Sequence, residues 1–273
     1  MTAEGATRDP KTAGRPRLGL AVFFAVAFGL AWIGWILTIY VWKIADPFSS
    51  FRYYWFVAAP SIAGFAAAYA EGGAARLKRF GARALNPRFA LWPAILGFVV
   101  PLFAALLTFV PHMSDVLQGG TPNIATALGA VTLLNFFTGP LAEEFGWRGY
   151  LLGWLGPRMH PALAGLIIGP IWVLWHLPLF YGSVFAHWSS ALGFLAWATS
   201  WSVVFALLVS RSCGSVLPSI LGHWTINNQV TLFAAALPML PQDVLPGGLS
   251  FAVTSVLVAV VLTYLWRDTR WQP

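Results

Sequence analysis

IATALGAVTLLNFFTGPLAEEFG, residues 124–146, is apolar and long enough to cross a bilayer, yet it closes on two adjacent acids, Glu143 and Glu144. A span needs about 20 mainly apolar residues. A charged side chain near the bilayer centre costs roughly 2.5–3.5 kcal/mol on insertion scales. The other seven acids, from Glu4 and Asp9 to Asp243 and Asp268, fall in the N-terminal tail, in connections or at the ends of apolar runs. The doubled acid is therefore the first place to look for chemistry.

The rest of the chain has the same character. Of its 273 residues 58% are apolar, 15 are Trp and only 9% are charged, and the mean hydropathy is +0.71. Soluble domains carry about 25% charged residues, so the class is a polytopic membrane protein. The apolar runs are too long for the strands of a barrel, which alternate over about ten residues. The fold expected is all-α, with about eight transmembrane helices. The net charge of +7 does not indicate a nucleic-acid partner, because the basic residues gather between spans rather than along one soluble face. Cys213 is the single cysteine, which excludes an intrachain disulfide and a cysteine-built zinc site.

Eight spans are read at about 18–42, 53–71, 90–111, 124–146, 161–181, 190–210, 215–238 and 248–266. Breaks fall at Asp46-Pro47, Gly72-Gly73, Asn86-Pro87, Gly119-Gly120, Gly156-Pro157 and Pro246-Gly247-Gly248. The fourth span is expected to continue as a more polar helix to about Gly153, and Pro170 marks a place for a kink in the fifth. With eight spans, fourteen of the sixteen Lys and Arg residues fall on one side, and only Lys43 and Arg52 on the other. That asymmetry places both termini in the cytoplasm. Residues 1–17 are expected to be a disordered tail. They do not read as a cleaved signal, because the apolar run from Leu18 is too long. The remainder, 18–268, reads as one transmembrane domain. The basic stretch from Ala74 to Phe89 fits either a surface helix on the anionic leaflet or a solvated loop.

Polar groups recur in three spans. Glu144 and Arg148 are one helical turn apart and can pair, while Glu143, rotated about 100° on the helix, faces a neighbouring span. A purely structural salt bridge does not need the second acid. Trp172 and His176 are also one turn apart, as are His223 and Asn227. By helical rise, Glu143 lies roughly 20 Å above the Gly156-Pro157 break, His176 about 22 Å above Pro161 and His223 about 13 Å above Gly214. All three levels are inside the membrane. Packing would explain a lone histidine, and interhelical hydrogen bonding would explain His223 with Asn227. Acid, imidazole and amide at similar depth from three helices read together as a site. Such groups activate water by general-base catalysis or hold a divalent metal that does so, and an amide donates to a developing oxyanion. No serine, cysteine or lysine is paired with the set, so direct attack by water is favoured over a covalent intermediate. Proton relay in a transporter uses similar groups. His112, His160 and His187 lie in connections, and Asn135, Thr138 and Asn228 lie near the motif faces.

Glu143-Glu144-x-x-x-Arg148, Trp172-x-x-x-His176 and His223-x-x-x-Asn227 resemble, in order, the three motifs of the membrane-embedded CAAX-processing proteases. This is the CPBP or Abi family, which also includes bacteriocin-processing and immunity proteins. The resemblance covers about 124–238, and EEFGWRGYLL at 143–152 is its most specific part. One position departs from the pattern: the family's second motif is usually Phe-x-x-x-His, and here Trp172 takes the aromatic place. The resemblance implies eight helices around an intramembrane cavity open to the cytosol. It also implies that Glu143 activates water with assistance from His176, and that Glu144 supports the site, held by Arg148. His223 and Asn227 complete it as oxyanion donors or metal ligands. There is no His-Glu-x-x-His motif, but Glu143, His176 and His223 could hold zinc with an open position.

The function expected is an integral membrane endopeptidase of the CAAX-processing type. Its substrate would be a peptide or protein, lipidated or not, reached from the cytosol or sideways from the bilayer. The alternative is a non-proteolytic immunity or assembly factor, or a proton-coupled transporter. Transporters of this kind show matched repeats with broken helices, whereas the polar residues here are confined to spans four, five and seven.

Overall fold

Lipid offers the backbone no hydrogen-bond partner, and a helix satisfies its peptide groups within one segment. In the computed structural model, which describes residues 16–44, 55–109, 135–236 and 249–271, the apolar runs are accordingly helical. They form α1 (Pro16–Ile36), α2 (Ala59–Ala84), α3 (Leu91–Phe109), α4 (Pro140–Glu144), α5 (Leu152–Leu155), α6 (Pro161–Trp175), α7 (Leu177–Phe180), α8 (Trp188–Arg211), α9 (Leu217–Ala236) and α10 (Leu249–Leu265). A π-helical turn, Leu37–Val41, prolongs α1, and a π-helix, Phe145–Leu151, joins α4 to α5. There is no strand among the described residues, and the chain is an all-α polytopic membrane protein. The 1–15 tail, the Asp46-Pro47 break, Arg52, His112, Gly119-Gly120, the 124–134 half of the fourth expected span and Pro246-Gly247-Gly248 lie outside the described residues.

Among the described residues, Pro16–Val41, Leu91–Thr108 and Trp188–Arg211 are long and apolar enough to cross a membrane alone. Their burial differs in a way that orders the bundle. The apolar window of α8 is 72% buried, against 28% for the first and 33% for the second. α8 is thus the central post, while α1 and α3 present residues such as Ile33 and Phe103 outward to lipid. α8 packs against α6 and α10, α1 against α2, and α3 against α9.

Two interruptions shape the part of the bundle that carries the polar residues. α2 continues past the expected break at Gly72-Gly73, where the backbone kinks: Gly73 has φ +61°, a conformation that disfavours residues with a Cβ. Beyond it the basic stretch is helical through Ala84, with Phe80 buried and Leu77 packed on the core while Leu85 is exposed. In the fifth span, α6 runs through Pro170 without a break and ends at Trp175. Pro178 is the reason: it has no N–H to offer and its ring crowds the carbonyl four residues back. His176 therefore sits at the junction between α6 and α7.

Candidate active site

The fourth expected span is not one α-helix. At Gly139 the backbone leaves helical geometry (φ −127°, ψ −80°), and Pro140 starts α4. Proline suits a first helical turn, where its missing N–H has no intrahelical partner to lose. Glu143 thereby lies in the first turn of α4, where unpaired N–H groups and the helix dipole favour a carboxylate. Immediately after Glu144 the helix widens into the π-helix, a form concentrated at functional sites. Within it Gly146 lies against the Pro60 carbonyl of α2, so close that a Cβ there would collide with that backbone.

Glu144 and Arg148 pair as their spacing predicts, Nη1 donating to Oε1 over 2.8 Å, with both side chains fully buried. The same Oε1 accepts from His223 Nδ1 at 2.8 Å. The guanidinium carbon lies 4.6 Å from the Trp172 ring centre and 5.1 Å from that of Phe205. Ring faces thus surround a cation whose Nε and Nη2 have no hydrogen-bond partner among the described residues. Glu144 is in effect the clamp that joins the π-helix to α9.

Glu143 faces α6, as its rotation from Glu144 requires. Its Oε2 accepts from Trp172 Nε1 at 2.6 Å and from Trp147 Nε1 at 3.3 Å. The indole in the aromatic place of the second motif thus does what a phenyl ring cannot, donating to the acid. His176 Nδ1 lies 2.9 Å from the Trp172 carbonyl. Its ring is boxed by Trp175 at 4.7 Å, by Phe180 stacked at 5.3 Å and by Phe194 edge-on at 5.7 Å.

These partners fix both histidine tautomers. A backbone carbonyl and a carboxylate paired with a guanidinium accept, so Nδ1 carries a proton in His176 and in His223, and in the neutral ring Nε2 then offers a lone pair. Among the described residues no group bonds Nε2 of either histidine or Oε1 of Glu143. Gly139 sits where a Cβ would meet Asn227 Nδ2 and would stand 3.6 Å from His223 Nε2, so the helix break brings backbone up to the last motif. Glu143 and His223 are nearly buried, at 4% and 2% exposure, while His176 and Asn227 are half-buried.

The structure thus brings Glu143, Glu144, Arg148, Trp172 and His223 into one network, sets His176 against Trp172 and lays Asn227 beside Gly139. As possible metal ligands Glu143, His176 and His223 fit less well. Among the described residues no three His, Cys, Asp or Glu side chains form a group able to hold an ion. One oxygen of Glu143 is also committed to two indoles. Asn135 Nδ2 donates to Asn228 Oδ1 at 3.2 Å, behind the motif face. His187 is exposed at the start of α8, and His160 caps α6 by accepting from Ala162 N–H.

Sequence reasoning missed the support beneath the π-helix. Glu71, placed by sequence at a span end, is buried. It accepts from Tyr150 Oη at 2.7 Å and from Arg76 Nε at 3.0 Å. Arg83 Nη2 donates to the Gly149 carbonyl at 2.7 Å. Nothing in local spacing announces these contacts across 79 and 66 positions. The Trp147 indole, one turn from Glu143, has a signal in the sequence, the same four-residue offset that links Glu144 to Arg148.

Fold and site together define a helical membrane protein with a buried network of carboxylate, imidazole and guanidinium groups. Residues 125–228 match the family model described as type II CAAX prenyl endopeptidase Rce1-like. No curated protein matches the chain.

Proposed function

We propose that the protein is an integral membrane endopeptidase of the CAAX-processing type, in which Glu143 activates a water for direct attack on a peptide carbonyl. The observation that carries this reading is the division of labour between the adjacent acids. Glu144 is ion-paired with Arg148 and bonded to His223, both through Oε1, with Oε2 buried and without a hydrogen-bond partner among the described residues. Glu143, by contrast, has no cation against it among those residues and is steadied at Oε2 by two neutral indole donors, which leaves its Oε1 for a reactant.

The chemistry balances without a covalent intermediate. Glu143 takes one proton from water as the new C–O bond forms at the carbonyl carbon. Asn227 Nδ2 donates to the developing oxyanion. His176 and His223, each with an Nε2 lone pair, orient the water. Collapse breaks the C–N bond, and the proton on Glu143 passes to the leaving nitrogen. Glu144 and Arg148 act through His223, holding its tautomer, and Trp172 acts through Glu143. In this reading the termini are cytoplasmic, and a peptide, lipidated or not, reaches the site from that side or from the bilayer.

The test is purified protein incubated with a panel of lipidated and unlipidated peptides. Cleavage is expected for the native protein and is lost in Glu143→Ala, His176→Ala and His223→Ala while folding persists. Cleavage retained by Glu143→Ala would overturn the assignment.

A further inference from the structure

Three helix ends border one cavity away from the carboxylate network: the start of α3, the end of α8 and the end of α10. It encloses about 470 Å³, and its walls include Arg88, Arg211, Phe89, Trp92, Leu96 and Trp266. Neither guanidinium forms an ion pair among the described residues, Asp268 included. Each lies instead against a ring: Arg88 is 5.6 Å from the centre of Phe89, and Arg211 is 4.6 Å from that of Trp266. The attraction of a ring for a cation uses up none of the guanidinium's N–H donors, which remain for another partner. Arg211 commits only Nε, to Thr269 Oγ1 at 3.2 Å.

The remaining walls are apolar and face outward, with Trp92 73% exposed and Phe89 51% exposed. In a bilayer, aromatic side chains at a helix start mark the headgroup level. Paired cations at that level, beside rings and an aliphatic wall, match a molecule with an anionic head and an apolar tail. A soluble anion would use the arginines and leave Phe89, Trp92 and Leu96 unexplained.

We propose that this cavity binds the phosphate headgroup of an anionic phospholipid, with the acyl chains lying along the outer face of α3. The assignment is independent of catalysis, since none of these residues belongs to the Glu143–His223 network.

The test uses the full-length protein in nanodiscs of phosphatidylcholine doped with phosphatidylglycerol of the same acyl chains. Retained lipid is counted by native mass spectrometry, and glycerol 3-phosphate serves as the soluble headgroup. Phosphatidylglycerol is expected to be retained in preference to phosphatidylcholine. At about 1 kcal/mol per basic residue near an anionic surface, Arg88→Gln should weaken retention roughly fivefold, and Arg88→Gln with Arg211→Gln roughly thirtyfold. Arg270→Gln, on a basic residue outside the cavity walls, should change it little. Arg88 is exposed, so its single variant stays informative if the double variant unfolds.

Equal retention of the two lipids, or undiminished phosphatidylglycerol in Arg88→Gln, would overturn the proposal. So would a matching loss in Arg270→Gln, which would reduce the effect to general surface charge. Displacement by glycerol 3-phosphate at comparable concentration would make the site one for soluble anions. A loss of peptide affinity with lipid retention unchanged would make it a substrate subsite. Either result contradicts the lipid assignment.

Discussion

Trp172→Phe removes one N–H from the heart of the site and leaves an aromatic ring in place. In the native protein that N–H donates to Glu143 Oε2 over 2.6 Å, much shorter than the 3.3 Å contact from Trp147. The phenyl ring can still lie against the Arg148 guanidinium, so the Glu144–Arg148 pair should persist. A hydrogen bond to a charged acceptor contributes about 1.5–3 kcal/mol net. If that holds Glu143 at its reactive angle, its loss should lower kcat by roughly 10- to 150-fold. KM should stay near the native value, because the indole touches the acid rather than the substrate. Steady-state cleavage of a responsive peptide reads both parameters, and thermal unfolding in the same detergent checks the fold. A kcat within about twofold of native, with folding intact, would refute the claim that the indole positions Glu143.

Arg148→Met leaves Glu144 buried with only His223 as partner, and should destabilise the fold by about 3–5 kcal/mol, read by chemical unfolding; a shift near zero would mean that the pair is dispensable. Gly139→Ala places a methyl against Asn227 Nδ2; displacing that donor should cost about 10²-fold in kcat with little change in unfolding temperature, and full activity would remove Asn227 from the oxyanion role. Tyr150→Phe takes one donor from buried Glu71 and should destabilise by about 1–3 kcal/mol, measured by unfolding; no change would show that Glu71 is adequately held by Arg76.

How much of this was legible depended on the range of the interaction. Glu144 with Arg148 was readable because a four-residue offset brings two side chains together on the local helix, and the 2.8 Å pair survives even though the helix there is π rather than α. The turn towards α6 by Glu143 followed from the same geometry. The π-helix was not legible, because local spacing carries no trace of tertiary packing such as that of Gly146 on the Pro60 carbonyl of another helix. Glu71 looked like a boundary residue because its burial depends on Tyr150, distant in sequence. At position 172 the sequence shows one aromatic ring in place of another, and only the fold reveals that the added N–H is the contact with Glu143. In the fifth span both prolines are visible in the sequence, but α6 runs through Pro170 and ends before Pro178, and local spacing alone does not rank the two.

The most direct test of the central claim is cleavage by purified Glu143→Gln protein on whichever peptide the native protein cuts. Glutamine keeps the shape, and its carbonyl oxygen can accept both indole N–H groups, so the fold and the network should remain. What it loses is the capacity to take a proton from water. The account predicts native unfolding behaviour and no cleavage above background; cleavage at the native rate would place the base elsewhere and contradict it.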